Sequence, residues 1–361
     1  MTSETAATTP EEIGETAPGQ DQSDVFRGVS SDSLVRRGRT ESGISARSVP
    51  AFVAGEELAD LAETDSRIVV MTADLASANR LIDFQLRHPD RFFNMGIAEK
   101  NMISAGAGLA STGLMPFVGT FASFASLLGY EQIRTDCAYP GMPVRVLAHH
   151  SGMSLGYYGS SHHALEDLAA MRAVADLTVA CAADGNQLRA MLRASLDLKG
   201  ALYLRLGRGR DPEVYATVPE DFEFGRASTL REGSDATVIA TGSQVHAALA
   251  AAELLLERGL SVRVVDMHTI KPLDVAAVVA AATETAAVIT VEEHNIIGGL
   301  GSAVAEVLAD HRLAVPFLRH GVNDEYVLIG PPAALYEHYR LDAPGVLDVV
   351  EEFCRMRRDE V

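Results

Sequence analysis

The sequence predicts an α/β protein built as two doubly wound domains. Three observations predict it. Short β-rich runs without polar alternation are separated by helical stretches, as expected for strands buried on both faces of a mainly parallel sheet. Gly, Pro and charged residues break this pattern between residues 207 and 236, after which it restarts. The chain has 361 residues, 47% of them hydrophobic and 22% charged, which is enough to bury two cores.

Residues 1–45 are rich in Ser, Thr, Glu, Gly and Pro. They bury too little apolar surface to offset their ordering entropy, so a flexible tail is expected. In the first domain, residues 47–212, the runs RIVVMTAD, MPFVGTF, PVRVLAHH, LTVACAA and ALYLRLG are the strands. The stretch 207–236 reads as a connection over the surface, with the linker proper at 213–224. In the second, smaller domain, residues 225–361, the strands are TVIATG, SVRVVDMH and AVITVEEH, each followed by helical sequence. One of these helices, SQVHAALAAAELLLERG, carries a Ser243 cap and a Gly259 stop. No internal repeat at solenoid spacing is present.

Net charge is −19 with the basic residues scattered, which argues against a nucleic-acid partner. No apolar run approaches the roughly 18–20 residues of a membrane span, and the N-terminus lacks a basic start followed by a hydrophobic segment. A cytoplasmic location is the expectation. Cys137, Cys181 and Cys354 are isolated thiols with no metal-ligand spacing.

Three features carry chemistry. In FFNMGIAEKNM, residues 92–102, Glu99 opens a helix of Gly, Ala and other small residues that should pack backbone-close to its neighbours, a costly place for a carboxylate. Phe121 and Phe124 follow a strand in GTFASFASLL, at a spacing that puts both rings on one side of a turn. His150 and His162 flank a Gly- and Ser-rich excursion, AHHSGMSLGYYGSSHHALED. All of these lie at or just beyond the carboxyl ends of predicted strands, where open α/β sheets bind ligands, so they are expected to converge on one site. GGLG at 298–301 is too short for a dinucleotide loop and reads as a loop feeding a helix N-terminus.

Taken together, GIAEKNM, GTFASF, the two histidines twelve residues apart and TVEEHNIIGGLGSA resemble the pyrimidine-binding and C-terminal domains of transketolases. Those enzymes use thiamine diphosphate to move a two-carbon ketol unit. The resemblance covers about residues 47–361. The family's diphosphate-binding domain, marked by GDG and a following NN, has no counterpart here; ADGNQ at 183–187 is the nearest string and opens a helix without the second element. The chain therefore resembles one subunit of a split transketolase. The resemblance implies a partner subunit that supplies the diphosphate and Mg²⁺ ligands, in an α2β2 assembly, with a ketose donor and an aldehyde acceptor as small-molecule substrates.

The resemblance also implies roles. Glu99 would hydrogen-bond N1′ of the cofactor's aminopyrimidine and push its 4′-amine toward the imino tautomer, a task suited to a carboxylate partly withdrawn from water. Phe121 and Phe124 would pocket the ring, with Leu127 in place of a third aromatic, and Asp74 would face the cofactor from its strand end. His150 and His162 would contact substrate hydroxyls and shuttle protons; His149 is expected on the other side of its strand and His163 to point elsewhere. Arg205, and more loosely Arg47, match arginines that grip a substrate phosphate. Two departures stand out. Ala78 replaces a phosphate-binding serine, and Tyr158, beside Tyr157, replaces an acid that reads the acceptor's 2-hydroxyl. Two rival readings are the β subunit of a 2-oxo acid dehydrogenase, which shares both domains, and a regulatory partner without chemistry. The paired histidines favour transketolase over the first, and the joint presence of Glu99, Phe121 and His162 argues against the second.

Overall fold

The structure, a computed structural model, describes residues 50–208 and 212–359. The tail at 1–45 and Arg47 lie outside the described residues. Twelve strands run in chain order among them: β1 Ile68–Thr72, β2 Phe92–Asn94, β3 Met115–Phe121, β4 Arg145–His149, β5 Thr178–Cys181, β6 Leu202–Arg205, β7 Ser228–Arg231, β8 Ala236–Ala240, β9 Val262–Asp266, β10 Thr269–Lys271, β11 Val288–Asn295 and β12 Phe317–Val322. They form a seven-stranded sheet, ordered β10-β5-β6-β4-β3-β1-β2, and a five-stranded sheet, ordered β12-β11-β8-β9-β7. Only the edge strands β10 and β7 pair antiparallel to their neighbours.

The first sheet is covered on two faces. Phe117 and Leu147 pack with Val53, Leu58, Phe84 and Leu188 from helices on one side. Val118, Val146 and Tyr203 pack with Met102, Ile103, Ile133 and Met171 on the other, and this core runs on into the second sheet through Ile239, Val265 and Val288. Each fully buried large apolar side chain contributes about 1.5–3 kcal/mol, so the shared core couples the two domains. The helix Glu99–Ser111 lies backbone-close to β3 as its small residues predict: a Cβ at Gly106 would come within 3.0 Å of Val118. No helix among the described residues is long and apolar enough to cross a membrane.

Two short strands depart from the sequence reading. β10 follows the second domain's β9 in the chain yet pairs with β5, so the first sheet borrows its edge strand from beyond the linker. Lys271 fastens it by donating to the carbonyls of Arg172 and Val174. β7 forms inside the stretch read as a surface connection. Strands of three or four residues are too short for a periodic signal. The linker is also tethered: Asp184, the cap of the helix Gly185–Ser195, accepts from Gln187 N–H at 2.8 Å and from the N–H groups of Val214 and Tyr215 at 2.8 and 2.7 Å.

Candidate active site

The predicted residues sit along one rim of the seven-stranded sheet. Asp74 follows β1, Glu99 follows β2, Phe121 ends β3 and His150 follows β4. Asp74, Arg80 and His150 have left-handed backbone φ angles of +59°, +56° and +59°. Such conformations cost energy for residues other than glycine and concentrate where a backbone must aim a side chain.

Four rings form a cluster at the ends of β3 and β4. Phe121 lies 5.6 Å from Phe124, 4.6 Å from His150 and 5.9 Å from His162, centroid to centroid. Phe124 meets His162 edge-on at 5.2 Å, and Tyr158 lies 5.0 Å from His162. Burial pushes His150 down to about 2, with His149, Arg208 and Arg80 acting in the same direction. Burial also lowers His162. Both imidazoles are therefore neutral at physiological pH, able to accept a proton or hydrogen bond from a hydroxyl. Ser161 Oγ lies 2.8 Å from His162 Nδ1 and fixes that ring's orientation.

The acidic side of the rim is built differently. Asn94 donates to Asp74 Oδ1 at 2.9 Å and accepts from the N–H groups of Asp74 and Gly96, both at 3.0 Å. This ties the end of β1 to the segment leading into Glu99. Glu99 is 7% exposed at the first turn of its helix, where Ala98 occupies the cap position without a side-chain cap. The unpaired N–H groups of that turn make an environment suited to a carboxylate. Beside it Phe93 and Ile97 face solvent, Ile97 at 85% exposure, and Leu127 and Leu128 are exposed beyond Phe124.

Two expectations, at Arg205 and Ser243, differ from what the structure shows. Arg205 is not placed to hold a substrate: it is 4% exposed, its Nε donates to Asp167 Oδ2 at 2.8 Å and its Nη2 donates to the carbonyls of Ala164 and Glu293 at 2.9 Å. The strand's alternation turns it into the core beside Tyr203. Arg208, three residues on and past the strand end, is exposed, and its charge reaches Arg80 and His150. The RLGRGR run signals an arginine at this rim, but the one inside the strand is not it. Ser243 occupies a helix cap position, yet its hydroxyl donates to Glu293 Oε2 at 2.9 Å instead of capping.

His149 is fully buried with neither ring nitrogen hydrogen-bonded, and its ring centroid is 6.4 Å from that of His150. His163 turns back to the Gly156 carbonyl at 3.2 Å. Tyr158 is 58% exposed. GGLG feeds the helix Leu300–Asp310, whose first N–H groups are held by Glu292: Leu300 donates at 2.7 Å and Gly301 at 2.8 Å.

Residues 51–212 match the family model for the transketolase pyrimidine-binding domain, and residues 225–346 that for the transketolase C-terminal domain. One of the subunits of the apulose-4-phosphate transketolase of Phocaeicola vulgatus is 37% identical over 302 residues, 83% of this chain and 96% of that one. A subunit of the 6-deoxy-6-sulfo-D-fructose transketolase of Clostridium sp. strain MSTE9 is 38% identical over 295 residues, 82% of this chain and 91% of that one. A solved split-gene transketolase, described as an inactive β4 tetramer, superposes with a TM-score of 0.75 at 41% identity, covering 84% of this chain and 97% of that one. The chain belongs to the transketolase family, of which it carries the pyrimidine-binding and C-terminal domains.

Proposed function

We propose that this chain is one subunit of a two-component, thiamine-diphosphate-dependent transketolase that moves a two-carbon ketol unit from a ketose to an aldehyde. The observation that carries this reading is the convergence of Phe121, Phe124, His150 and His162 at the rim that also bears Glu99. The residues fit the cofactor's pyrimidine end: an aromatic pair for an apolar ring, and a carboxylate at a helix start for a ring nitrogen. When bound, thiamine diphosphate supplies the electron sink for carbon–carbon cleavage.

This chain's own residues do the rest. Glu99 holds a proton at the pyrimidine nitrogen and so sets the ring's tautomer. Phe121 and Phe124 orient that ring and exclude water. Neutral His150 and His162 accept hydrogen bonds from substrate hydroxyls and pass protons. Asp74 faces the cofactor from its strand end.

Among the described residues no group of three His, Cys, Asp or Glu is arranged to hold a metal ion. We assign the Mg²⁺ and diphosphate ligands to a partner subunit with a diphosphate-binding domain, in an α2β2 assembly on a two-fold axis, since Mg²⁺ needs near-octahedral oxygen ligands. The exposed Phe93, Ile97, Leu127 and Leu128 beside Glu99 and Phe124 are the apolar surface such a partner would cover.

The substrate side supports a specialised acceptor. Ala78 offers no hydroxyl, and Tyr158 sets a phenol near His162 in place of an acid. A phenol is a weaker acceptor than a carboxylate, so the site penalises the absence of the aldehyde's 2-hydroxyl less. The acceptor is therefore a less hydroxylated or larger aldehyde than ribose 5-phosphate, with the exposed Arg208, whose charge acts on His150, as a cation for any anionic end.

The test mixes this chain with its partner, thiamine diphosphate and Mg²⁺, and follows ketol transfer from a ketose to a panel of aldehydes. Transfer by the mixture and none by the chain alone is expected. Transfer by the chain alone would contradict the two-component reading, and CO2 release from a 2-oxo acid would replace it with a dehydrogenase.

A further inference from the structure

The loop that follows His150 and carries His162 is closed at its neck by one antiparallel bridge: Gly152 N–H donates to the Ala164 carbonyl at 3.0 Å and Ala164 N–H to that of Gly152 at 2.9 Å. A single bridge is a weak closure for an excursion this long. Ser151 N–H adds a bond to the Leu206 carbonyl at 3.0 Å, and the C-terminal domain adds Asn295 N–H on the Leu165 carbonyl at 2.9 Å and, on the other side of the neck, a carboxylate. Glu293, near the end of β11 and 2% exposed, accepts from Met153 N–H at 2.7 Å, from Tyr336 Oη at 2.7 Å and from Ser243 Oγ at 2.9 Å. Its backbone carbonyl accepts from Arg205 at 2.9 Å, and the same guanidinium nitrogen donates to the Ala164 carbonyl, the other side of the neck. Contact is close enough that a Cβ at Gly152 would fall 2.1 Å from the Glu293 carboxyl carbon.

We infer that Glu293 is a positioning residue for substrate chemistry: the C-terminal domain holds the neck of the 150–164 loop through this carboxylate, and so fixes where His150 and His162 stand relative to the cofactor. A buried carboxylate is a costly way to join two domains, since an apolar pair would serve packing alone as well. Its acceptor-only chemistry is what a loop amide and two hydroxyls require. The contacts of Glu293 lie on the histidine side of the rim, not on the pyrimidine side with Glu99. The inference thus rests on the proposed transketolase reading but predicts a split that the reading does not: cofactor activation should be independent of Glu293 while ketol transfer depends on it.

The experiment uses the full chain reconstituted with its partner. Glu293→Ala removes the latch, and Gly152→Ala pushes the neck off it while leaving the carboxylate in place. Each should lower kcat/KM for ketol transfer tenfold or more, with exchange of the bound cofactor's C2–H within twofold of wild type. The double variant should lose no more than the worse single one, because both break the same contact. Hydrogen exchange of the Met153 amide in the chain alone should accelerate in both variants. Equal falls in C2–H exchange and transfer would reduce Glu293 to a structural residue and overturn the inference, as would an unchanged Met153 amide. If wild-type assembly transfers no ketol unit, the transketolase reading fails, and the amide measurement still decides the latch. Should Glu293→Ala not fold, Gly152→Ala carries the same comparison.

Discussion

The two halves of the rim are finished by different means. The histidine half is closed within the chain: Phe121 packs tilted against His150 and Phe124 edge-on against His162, and Glu293 and Arg205 reach across from neighbouring elements to hold the loop. The acidic half is joined to its sheet by the β1–β2 ladder and the Asp74–Asn94 pair, and exposed apolar side chains flank the segment leading into Glu99. On the proposed reading, the difference separates what one gene product completes by itself from what it leaves to a partner. On the same reading the substrate-handling groups are preorganised, while Glu99, itself buried, stands beside exposed apolar side chains that a partner would cover.

The largest effect that could break this comparison lies at Glu99. Glu99→Gln keeps shape but cannot share a carboxyl proton with the pyrimidine, so C2–H exchange in the reconstituted assembly should fall by orders of magnitude, several kcal/mol in barrier. Assembly should survive. A rate within about tenfold of wild type would remove Glu99 from the mechanism. On the histidine half, Arg205→Met leaves Asp167 buried without its cation, which should cost about 3–5 kcal/mol of stability. Denaturant unfolding of the chain checks it, and a loss well under that figure would show that the pair does not hold the loop's base.

Tyr158→Asp places a carboxylate acceptor beside His162 and should raise kcat/KM for a 2-hydroxylated aldehyde over its 2-deoxy analogue by about tenfold, roughly 1.4 kcal/mol. An unchanged ratio would place acceptor choice elsewhere. The smallest effect concerns pH. Burial raises Asp266 to about 7, against hydrogen bonds from Tyr215 and Gln187 that oppose the rise. Its folded-state proton is held more tightly than in the unfolded chain, so its contribution is full at low pH and is lost as pH climbs toward 7. The Tm of wild type minus that of Asp266→Asn should therefore shrink between pH 5 and 8. A gap that widens with pH would reverse the assignment.

Much of this architecture was legible because it rests on periodicity and position. MPFVGTF coincides with β3 from Met115 to Phe121, and the apolar runs of both domains mark the parallel strands that carry the rim. The histidine and phenylalanine pairs were legible because their spacing survives folding. Arg205 misled because sequence proximity to a strand end does not say which residue has left the strand; three residues of chain separate a core ion pair from the exposed Arg208. Glu293 was legible only as part of a motif. Its role depends on Met153, 140 residues away in sequence, and on Tyr336 and Ser243, which no local pattern connects. β10 escaped for the same reason, since its partner lies across the linker.

The comparison between the two halves is tested most directly by hydrogen exchange of this chain with and without its partner subunit. Partner binding should protect backbone amides of residues 92–104 and 124–130, around Glu99 and the exposed Leu127 and Leu128, far more than the necks of the histidine loop at 152–154 and 163–165. Protection concentrated at those necks, with the Glu99 segment unchanged, would contradict the account.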